Sequence, residues 1–337
     1  MTRILQSLNM ARIAVTDGME EKAIHLLEKA GHEVVNQSFT QDELLEGAID
    51  GVEAIIVRSA TKLTKDVIQA SSSELRVIAR AGVGVDNIDL EAAGTLGIPV
   101  VNAPQASTQS VVELTVGHLL ASLRFLPRAN EGMKLGRWEK NVLKGTELHG
   151  KSLGLIGFGR IAQGVSRVAR SFGMEVHAFD PYVPERIAKG EHTRLHKSIE
   201  SLFSSCTHIS IHCNLNDETH HLVNLERIRL MPTIGTDGIP CGNHIVNCAR
   251  GGIVDETETL EALNSGELTS LALDVFEIEP VDINHPLLQH ENFHGTPHIG
   301  ASTLEAQLRV GMSIVDSVLD ILDGKSCDFV VNQSFLE

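Results

Sequence analysis

Cysteine is scarce in this chain, and the few cysteines show no pairing pattern. The five of them, an odd number, include no closely spaced Cys-x-x-Cys pair, so the sequence predicts no disulfide framework. A reducing compartment, the cytosol, is therefore the expected location. The first ten residues also lack the apolar core of a secretory signal, and Met10 is a possible alternative start.

Basic charge is in short supply as well. The chain has 28 Lys and Arg against 44 Asp and Glu, a formal net charge of −16. This balance argues against a nucleic-acid partner and against an anionic membrane surface, because both require clustered positive charge. The hydrophobic content of 42% is that of ordinary globular cores and requires no membrane span.

Histidine is plentiful, yet the spacing of the histidines does not favour a metal site. His208 and His212 have the spacing of helical ligands, but the residues between them alternate as in a strand. His294 and His298 have the same spacing, and Pro297 interrupts any helix there. The sequence therefore predicts no bound metal.

Short apolar stretches alternate with amphipathic ones from Arg12 to Asn102, which predicts a parallel sheet covered by helices on both faces. A long connecting helix is expected from Ser107 to about Asn130, capped by Ser107 or Thr108. The polar segment from Glu131 to Gly150 carries the only tryptophan, Trp138, and we interpret it as an interface segment.

A second alternating run begins at Ser152 and ends near Gly295, which predicts a second parallel sheet. The helix-like stretch from Ser302 to Leu322 then has no sheet of its own, so by elimination it returns to the first domain. The second domain is therefore expected as an insertion. We assign residues 11–102 and 299–337 to the first domain, and residues 103–298 to the inserted one.

Glycines follow the first strand of the second run at the positions that a bound dinucleotide requires. Gly157 and Gly159 stand directly after an apolar strand and before a helix, so backbone N–H groups can approach a pyrophosphate. Asp180 ends the next strand, where its carboxylate can accept hydrogen bonds from ribose hydroxyls and repel a 2′-phosphate. The sequence therefore predicts NAD rather than NADP.

Three polar residues near the end of the chain form a complete set for hydride chemistry on a hydroxy acid. Arg250 can donate two parallel hydrogen bonds to a carboxylate, Glu279 can pair with an imidazole, and His298 can carry a proton near neutral pH.

The chain resembles the D-isomer-specific 2-hydroxyacid dehydrogenase family over nearly its whole length. The resemblance rests on the segments around these three residues and on Val57 to Lys62, Arg80 to Asn87 and Gly145 to Gly150.

The resemblance implies a Rossmann-type NAD-binding domain inserted into a flavodoxin-like substrate-binding domain. It implies that Arg250 orients the substrate, that His298 exchanges the proton and that Glu279 supports His298. The implied contacts of NAD are Gly157, Gly159, Arg160, Ile161, Asp180, Cys213, Cys248, Ala249, Asp274, Gly300 and Ala301. Asp274 is expected to face the nicotinamide amide.

Substrate contacts are implied at Arg58, Ser59, Arg80, Val83, Gly84 and Lys140. Arg58 and Ser59 match the branch whose substrate carries a phosphate, and Lys140 matches a basic residue that reaches across a dimer. The implied reaction is the oxidation of 3-phospho-D-glycerate to 3-phosphohydroxypyruvate, the first step of serine biosynthesis. Reduction of glyoxylate or hydroxypyruvate and oxidation of D-lactate are alternatives, and an NAD-sensing corepressor-like binding protein is a more distant one.

Two further expectations follow from the resemblance. The segment from Glu131 to Gly150 matches the dimer arm of the family, so we expect a homodimer with Trp138 as an anchor. The chain ends soon after the returning helix, so we expect neither a C-terminal regulatory domain nor feedback by serine. The segment from Pro232 to Asn243 is longer than the usual connection, and we assign it no function.

Overall fold

Two compact units make up the computed structural model, which describes residues 10–336. The first unit holds residues 10–107 and 301–336, and the second holds Thr108–Gly300. Each unit contains one parallel sheet, so the expected fold class is confirmed. The boundaries and roles of the predicted domains stay predictions, and the expected absence of a signal concerns residues 1–9, outside the described part.

The first unit begins with alternating strands and helices, as the sequence pattern predicts. Their bounds are β1 (Arg12–Val15), α1 (Glu21–Lys29), β2 (Glu33–Asn36), α2 (Gln41–Leu45), β3 (Ala54–Val57), α3 (Lys65–Ala70), β4 (Val77–Arg80), α4 (Leu90–Thr95) and β5 (Val100–Asn102). The strand order β2-β1-β3-β4-β5 is the flavodoxin-like order. All four residues of β3 are buried, as expected for a central parallel strand.

The second unit carries a larger sheet of seven strands. Its elements are α5 (Thr108–Leu123), α6 (Leu126–Lys134), β6 (Ser152–Ile156), α7 (Arg160–Ser171), β7 (Glu175–Phe179), α8 (Glu185–Gly190), β8 (Arg194–Leu195), α9 (Ile199–Phe203), β9 (His208–Ile211), α10 (Leu225–Ile228), β10 (His244–Asn247), α11 (Glu256–Ser265), β11 (Ser270–Leu273) and β12 (Phe293–Gly295). The strand order β12-β11-β10-β9-β6-β7-β8 is the doubly wound order of a dinucleotide-binding fold with one added strand.

The last helix, α12 (Leu304–Leu322), packs in the core of the first unit. Its start is capped by Thr303, whose side chain accepts a hydrogen bond from the N–H of Ala306 at 3.1 Å. Val310, Ile314 and Val318 recur at helical spacing and are buried against the sheet. The helix therefore covers a sheet from which it is distant in sequence.

The prediction of one continuous connecting helix is wrong, because the helix ends at Leu123 and a second one begins at Leu126. Phe125 adopts a left-handed conformation with φ of 52°, and α6 then begins with Pro127 in its first turn. Proline has no N–H to donate to the carbonyl of Leu123, and that carbonyl accepts the N–H of Thr146 instead, at 3.3 Å. The turn therefore ends α5 before the polar segment begins.

Helix α2 is short and ends at Leu45. The two-residue edge strand β8 was not predicted, because an element so short leaves no periodic pattern in the sequence. Every helix in residues 10–336 is too short or too polar to span a bilayer.

Candidate active site

The turn after β6 leaves open space at the start of α7. Gly157 has a φ of 83°, and a Cβ there would approach the backbone of His212 and Cys213 to 2.9 Å. A Cβ on Gly159, in contrast, would meet no atom within 4 Å, and Gly159 provides no side-chain cap for α7. The N–H groups at this helix end can therefore face an anionic ligand. Arg160 is exposed and Ile161 half-buried at the same end.

Asp180 closes this turn from the neighbouring strand. Its carboxylate accepts hydrogen bonds from the N–H groups of Phe158 at 2.8 Å, Tyr182 at 2.9 Å and Val183 at 3.2 Å. These bonds hold the carboxylate at the carboxyl end of β7, beside the glycine turn, while its remaining lone pairs can accept ribose hydroxyls. The open helix end and this fixed acceptor fit a dinucleotide with free ribose hydroxyls, which is NAD.

The cysteines assigned to this region are thiols. Burial raises the pKa of Cys213 to about 11 and that of Cys248 to about 12. Neither side chain is therefore a nucleophile near neutral pH. Ala249 is half-buried in the loop after β10, while Ala301 belongs to the first unit. The contacts of these residues with NAD stay predictions.

His298 and Glu279 are hydrogen bonded in the second unit. The Nδ1 atom of His298 lies 2.7 Å from Oε2 of Glu279, and Oε1 of Glu279 accepts the N–H of Phe276 at 3.0 Å. The bond to Glu279 raises the pKa of His298 above its ordinary value. Burial acts to raise the pKa of Glu279, but its bonds to His298 and Phe276, together with the charges of His298 and Arg250, lower the pKa overall. The pair therefore favours a charged imidazole.

Asp274 holds the turn that carries His298. This aspartate is 1% exposed, and its carboxylate accepts the hydroxyl of Thr296 at 2.6 Å and the N–H groups of Ile299 and Gly300 at 2.8 Å each. His298 also donates its own N–H to the carbonyl of Asp274 at 2.8 Å, and it adopts a left-handed φ of 52°. The expected contact of Asp274 with the nicotinamide stays a prediction, and sequence reasoning missed this positioning role.

Arg250 lies on the turn after β10, which Asn247 shapes. The amide of Asn247 donates to the carbonyl of Arg250 at 2.8 Å and accepts the N–H of Ala249 at 2.9 Å. Arg250 donates from Nη1 to the carbonyl of Ala249 at 2.7 Å, and its charge acts on both His298 and Glu279. Asn247 and Asp274 share one signal in the sequence, a polar residue placed at the carboxyl end of a buried strand.

The predicted substrate residues of the first unit follow β3 and β4. Arg58 is half-buried and Ser59 exposed, and Asp17 pins their turn by accepting the N–H of Arg58 at 2.7 Å. Arg80 ends β4, and the exposed Val83 and half-buried Gly84 follow it. Because β3 and β4 are parallel neighbours, these residues share one edge of the sheet. Lys140 is exposed and belongs to the second unit.

Clusters that could hold a metal do not occur within the described chain: residues 10–336 contain no suitable group of three or more His, Cys, Asp or Glu side chains.

Comparison with known proteins assigns the chain to a family. Residues 116–300 match the family described as D-isomer specific 2-hydroxyacid dehydrogenase, NAD binding domain. The hydroxypyruvate reductase of Thermotoga maritima is 44% identical over 91% of this chain and 97% of its own length. The chain belongs to the D-isomer-specific 2-hydroxyacid dehydrogenase family. The resemblance inferred from the sequence is therefore confirmed, and residues 116–300 of the second unit match the NAD-binding domain of this family.

Other members of the family differ in length and in the activity for which they are named. The D-3-phosphoglycerate dehydrogenase of Methanocaldococcus jannaschii is 45% identical over 96% of this chain, which spans 60% of that protein. An NAD-bound 3-phosphoglycerate dehydrogenase structure from Entamoeba histolytica has a TM-score of 0.78 and 30% identity, covering 96% of this chain and 99% of its own.

Proposed function

We propose that this chain is an NAD-dependent dehydrogenase that oxidises 3-phospho-D-glycerate to 3-phosphohydroxypyruvate. The observation that carries the proposal is the hydrogen bond of 2.7 Å between His298 and Glu279 within an NAD-binding domain of this family. Arg250 acts electrostatically on both residues from the next loop. Together they supply a proton acceptor and a carboxylate-binding cation, the two groups that the reaction requires of the protein.

In the proposed mechanism His298 moves the proton. Its Nδ1 atom is hydrogen bonded to Glu279, so Nε2 is the nitrogen left to accept the proton of the substrate hydroxyl. Neutral His298 accepts the hydroxyl proton during oxidation, and the charged form returns it during reduction. Arg250 orients the substrate carboxylate with two parallel hydrogen bonds. NAD, when bound, supplies the acceptor of the hydride that leaves C2 of the substrate.

Glu279→Gln should shift the pH dependence of the reductive reaction to lower pH. The carboxylate raises the pKa of His298, so charged His298 is present up to a higher pH in the wild type. Removing the negative charge lowers that pKa, and reductive activity is then lost at a lower pH. The measurement is kcat/KM for reduction against pH. Glu291→Gln, which removes a carboxylate that is 66% exposed, is the control. A reductive limb that does not move contradicts the pairing.

The phosphorylated substrate is supported by the turn that carries Arg58 and Ser59. The carboxylate of Asp17 accepts the N–H groups of Arg58 and Thr61, which presents a guanidinium at the end of β3. A guanidinium and a hydroxyl suit a phosphate monoester. The identity of 44% with a hydroxypyruvate reductase favours reduction of hydroxypyruvate as the second candidate. Initial rates with phosphorylated and unphosphorylated acids separate the two.

A homodimer is part of the proposal. The segment from α6 to Val142 exposes a row of large apolar side chains, which a second copy of this chain could cover. They are Leu126, Met133, Leu135, Trp138 and Val142. Trp138 is 80% exposed in the single chain. Sedimentation at micromolar concentration should give twice the chain mass of 36.5 kDa. Trp138→Ala should weaken the association, and a single-chain mass for the wild type would contradict the dimer.

The proposal also places the protein in the cytosol. All five cysteines are unpaired thiols, which suits a reducing compartment. Recovery of a disulfide from protein alkylated during cell lysis would contradict this location.

A further inference from the structure

Two loops of the second unit touch backbone to backbone next to the proposed acid–base pair. Gly251 directly follows Arg250, and a Cβ on Gly251 would collide with the carbonyl group of Phe276. Phe276 is also the residue whose N–H donates to Glu279. The loop that carries Arg250 therefore lies against the turn that orients Glu279, and only glycine allows this approach.

Glu256 fastens the same turn to helix α11. This first residue of α11 is 7% exposed, and its Oε1 atom accepts the N–H of Glu277 at 2.7 Å. In return, the N–H of Glu256 donates to Oε1 of Glu277 at 3.2 Å. Two consecutive N–H groups of the turn thus donate to side chains: that of Phe276 to Glu279, and that of Glu277 to Glu256.

Histidines flank these two carboxylates. The Nε2 atom of His285 lies 3.2 Å from Oε2 of Glu256, and His221 bridges Asp255 at 3.1 Å and Glu277 at 3.0 Å. Burial raises the pKa of Glu256, the nearby charges of Glu277 and Glu279 raise it further, and His285 opposes them. A carboxylate in such a place is costly unless hydrogen bonds compensate for its burial. The bond to the turn is one of these.

We propose that Glu256 is a positioning residue: it fixes the peptide between Phe276 and Glu277, and so holds the carboxylate of Glu279 against His298. Glu256 itself does not touch the substrate. The effect on turnover rests on the function proposed above, whereas the effect on the proton affinity of His298 does not. The proposal concerns the hydrogen bond that Glu256 accepts, and not its negative charge.

The experiment compares Glu256→Ala, Glu256→Gln and Glu258→Ala. The pKa of the His298 imidazole is measured by NMR titration of the chain without cofactor, with the resonance assigned through His298→Gln. Glutamine keeps an acceptor oxygen for the N–H of Glu277 but carries no charge, so it separates the bond from the charge. Glu258 lies on the same helix and accepts the N–H of Leu225 at 2.8 Å, so Glu258→Ala removes a similar bond from another loop.

We expect Glu256→Ala to lower the pKa of His298 and to reduce kcat at least about tenfold, because a small displacement of a reacting group is costly. Glu256→Gln and Glu258→Ala should leave both close to wild type. Equal pKa shifts in Glu256→Gln and Glu256→Ala would show a charge effect and overturn the proposal, as would no shift in Glu256→Ala.

If Glu256→Ala does not fold, Glu256→Asp replaces it, since the shorter side chain withdraws the acceptor and should lower the pKa of His298 as well. An unchanged pKa in Glu256→Asp would then overturn the proposal. If the wild type shows no turnover with any hydroxy acid but the pKa shifts as expected, the proposed function fails and the positioning role of Glu256 stands.

Discussion

Replacing His298 with glutamine should lower kcat by about 10²- to 10⁴-fold in both directions, the usual contribution of a general acid–base group. Glutamine fills similar space but cannot exchange a proton near neutral pH. The substitution leaves the turn intact in our account, because the bonds of Asp274 go to Thr296, Ile299 and Gly300. The measurement is kcat for oxidation and for reduction at the pH optimum of each.

The matched control for His298→Gln is His25→Gln, which changes a histidine whose side chain is 74% exposed in the first unit. It should keep wild-type rates. A His298→Gln enzyme that retains more than about a tenth of wild-type kcat would contradict the proposed proton transfer, since even weak general catalysis exceeds that factor.

Arg250→Lys should lower kcat/KM by about 10- to 100-fold, although the charge is kept. A guanidinium donates two parallel hydrogen bonds to a carboxylate, whereas an ammonium group cannot match that planar geometry. Losing one charge-assisted bond costs about 1.5–3 kcal/mol, which corresponds to this range. The measurement is kcat/KM for oxidation at saturating NAD.

Arg227→Lys is the control for the arginine prediction. Arg227 belongs to the same unit and pairs with Glu200 at the surface, at 3.3 Å. Exposed ion pairs of this kind contribute little, so kcat/KM should not change. If Arg250→Lys behaves like the control, Arg250 supplies charge alone and the proposed orientation of the substrate is wrong.

Much of the fold follows from local patterns in the sequence. The buried run of β3 and the apolar stripe of α12 are both visible as periodicity, and the structure contains both elements. The glycine turn at Gly157 could also be predicted, because a backbone with positive φ favours glycine at that position. These features depend on neighbours in the chain, which is why the sequence alone predicts them.

Contacts between segments that are distant in the sequence could not be predicted in this way. Pro127 is a local signal of the break at Phe125, but no local pattern indicates that the N–H of Thr146 bonds to the carbonyl of Leu123. Asp274 was expected to contact the cofactor. Its hydrogen bonds to the N–H groups of Ile299 and Gly300, in the turn of His298, are apparent only from the folded structure. No sequence motif marks Glu256 as a positioning residue, because its partner Glu277 lies in a distant loop. The residues of the proposed site could be predicted from the sequence, but the residues that position them could not.

The most direct test of the account is the initial rate of NADH formation with 3-phospho-D-glycerate and with D-glycerate, each at saturating NAD. We expect turnover of both acids, with kcat/KM higher for the phosphorylated one by about 10- to 100-fold, the contribution of a charge-assisted contact. Equal values would contradict the assignment of Arg58 and Ser59 to a phosphate. Turnover of neither acid would contradict the proposed dehydrogenase.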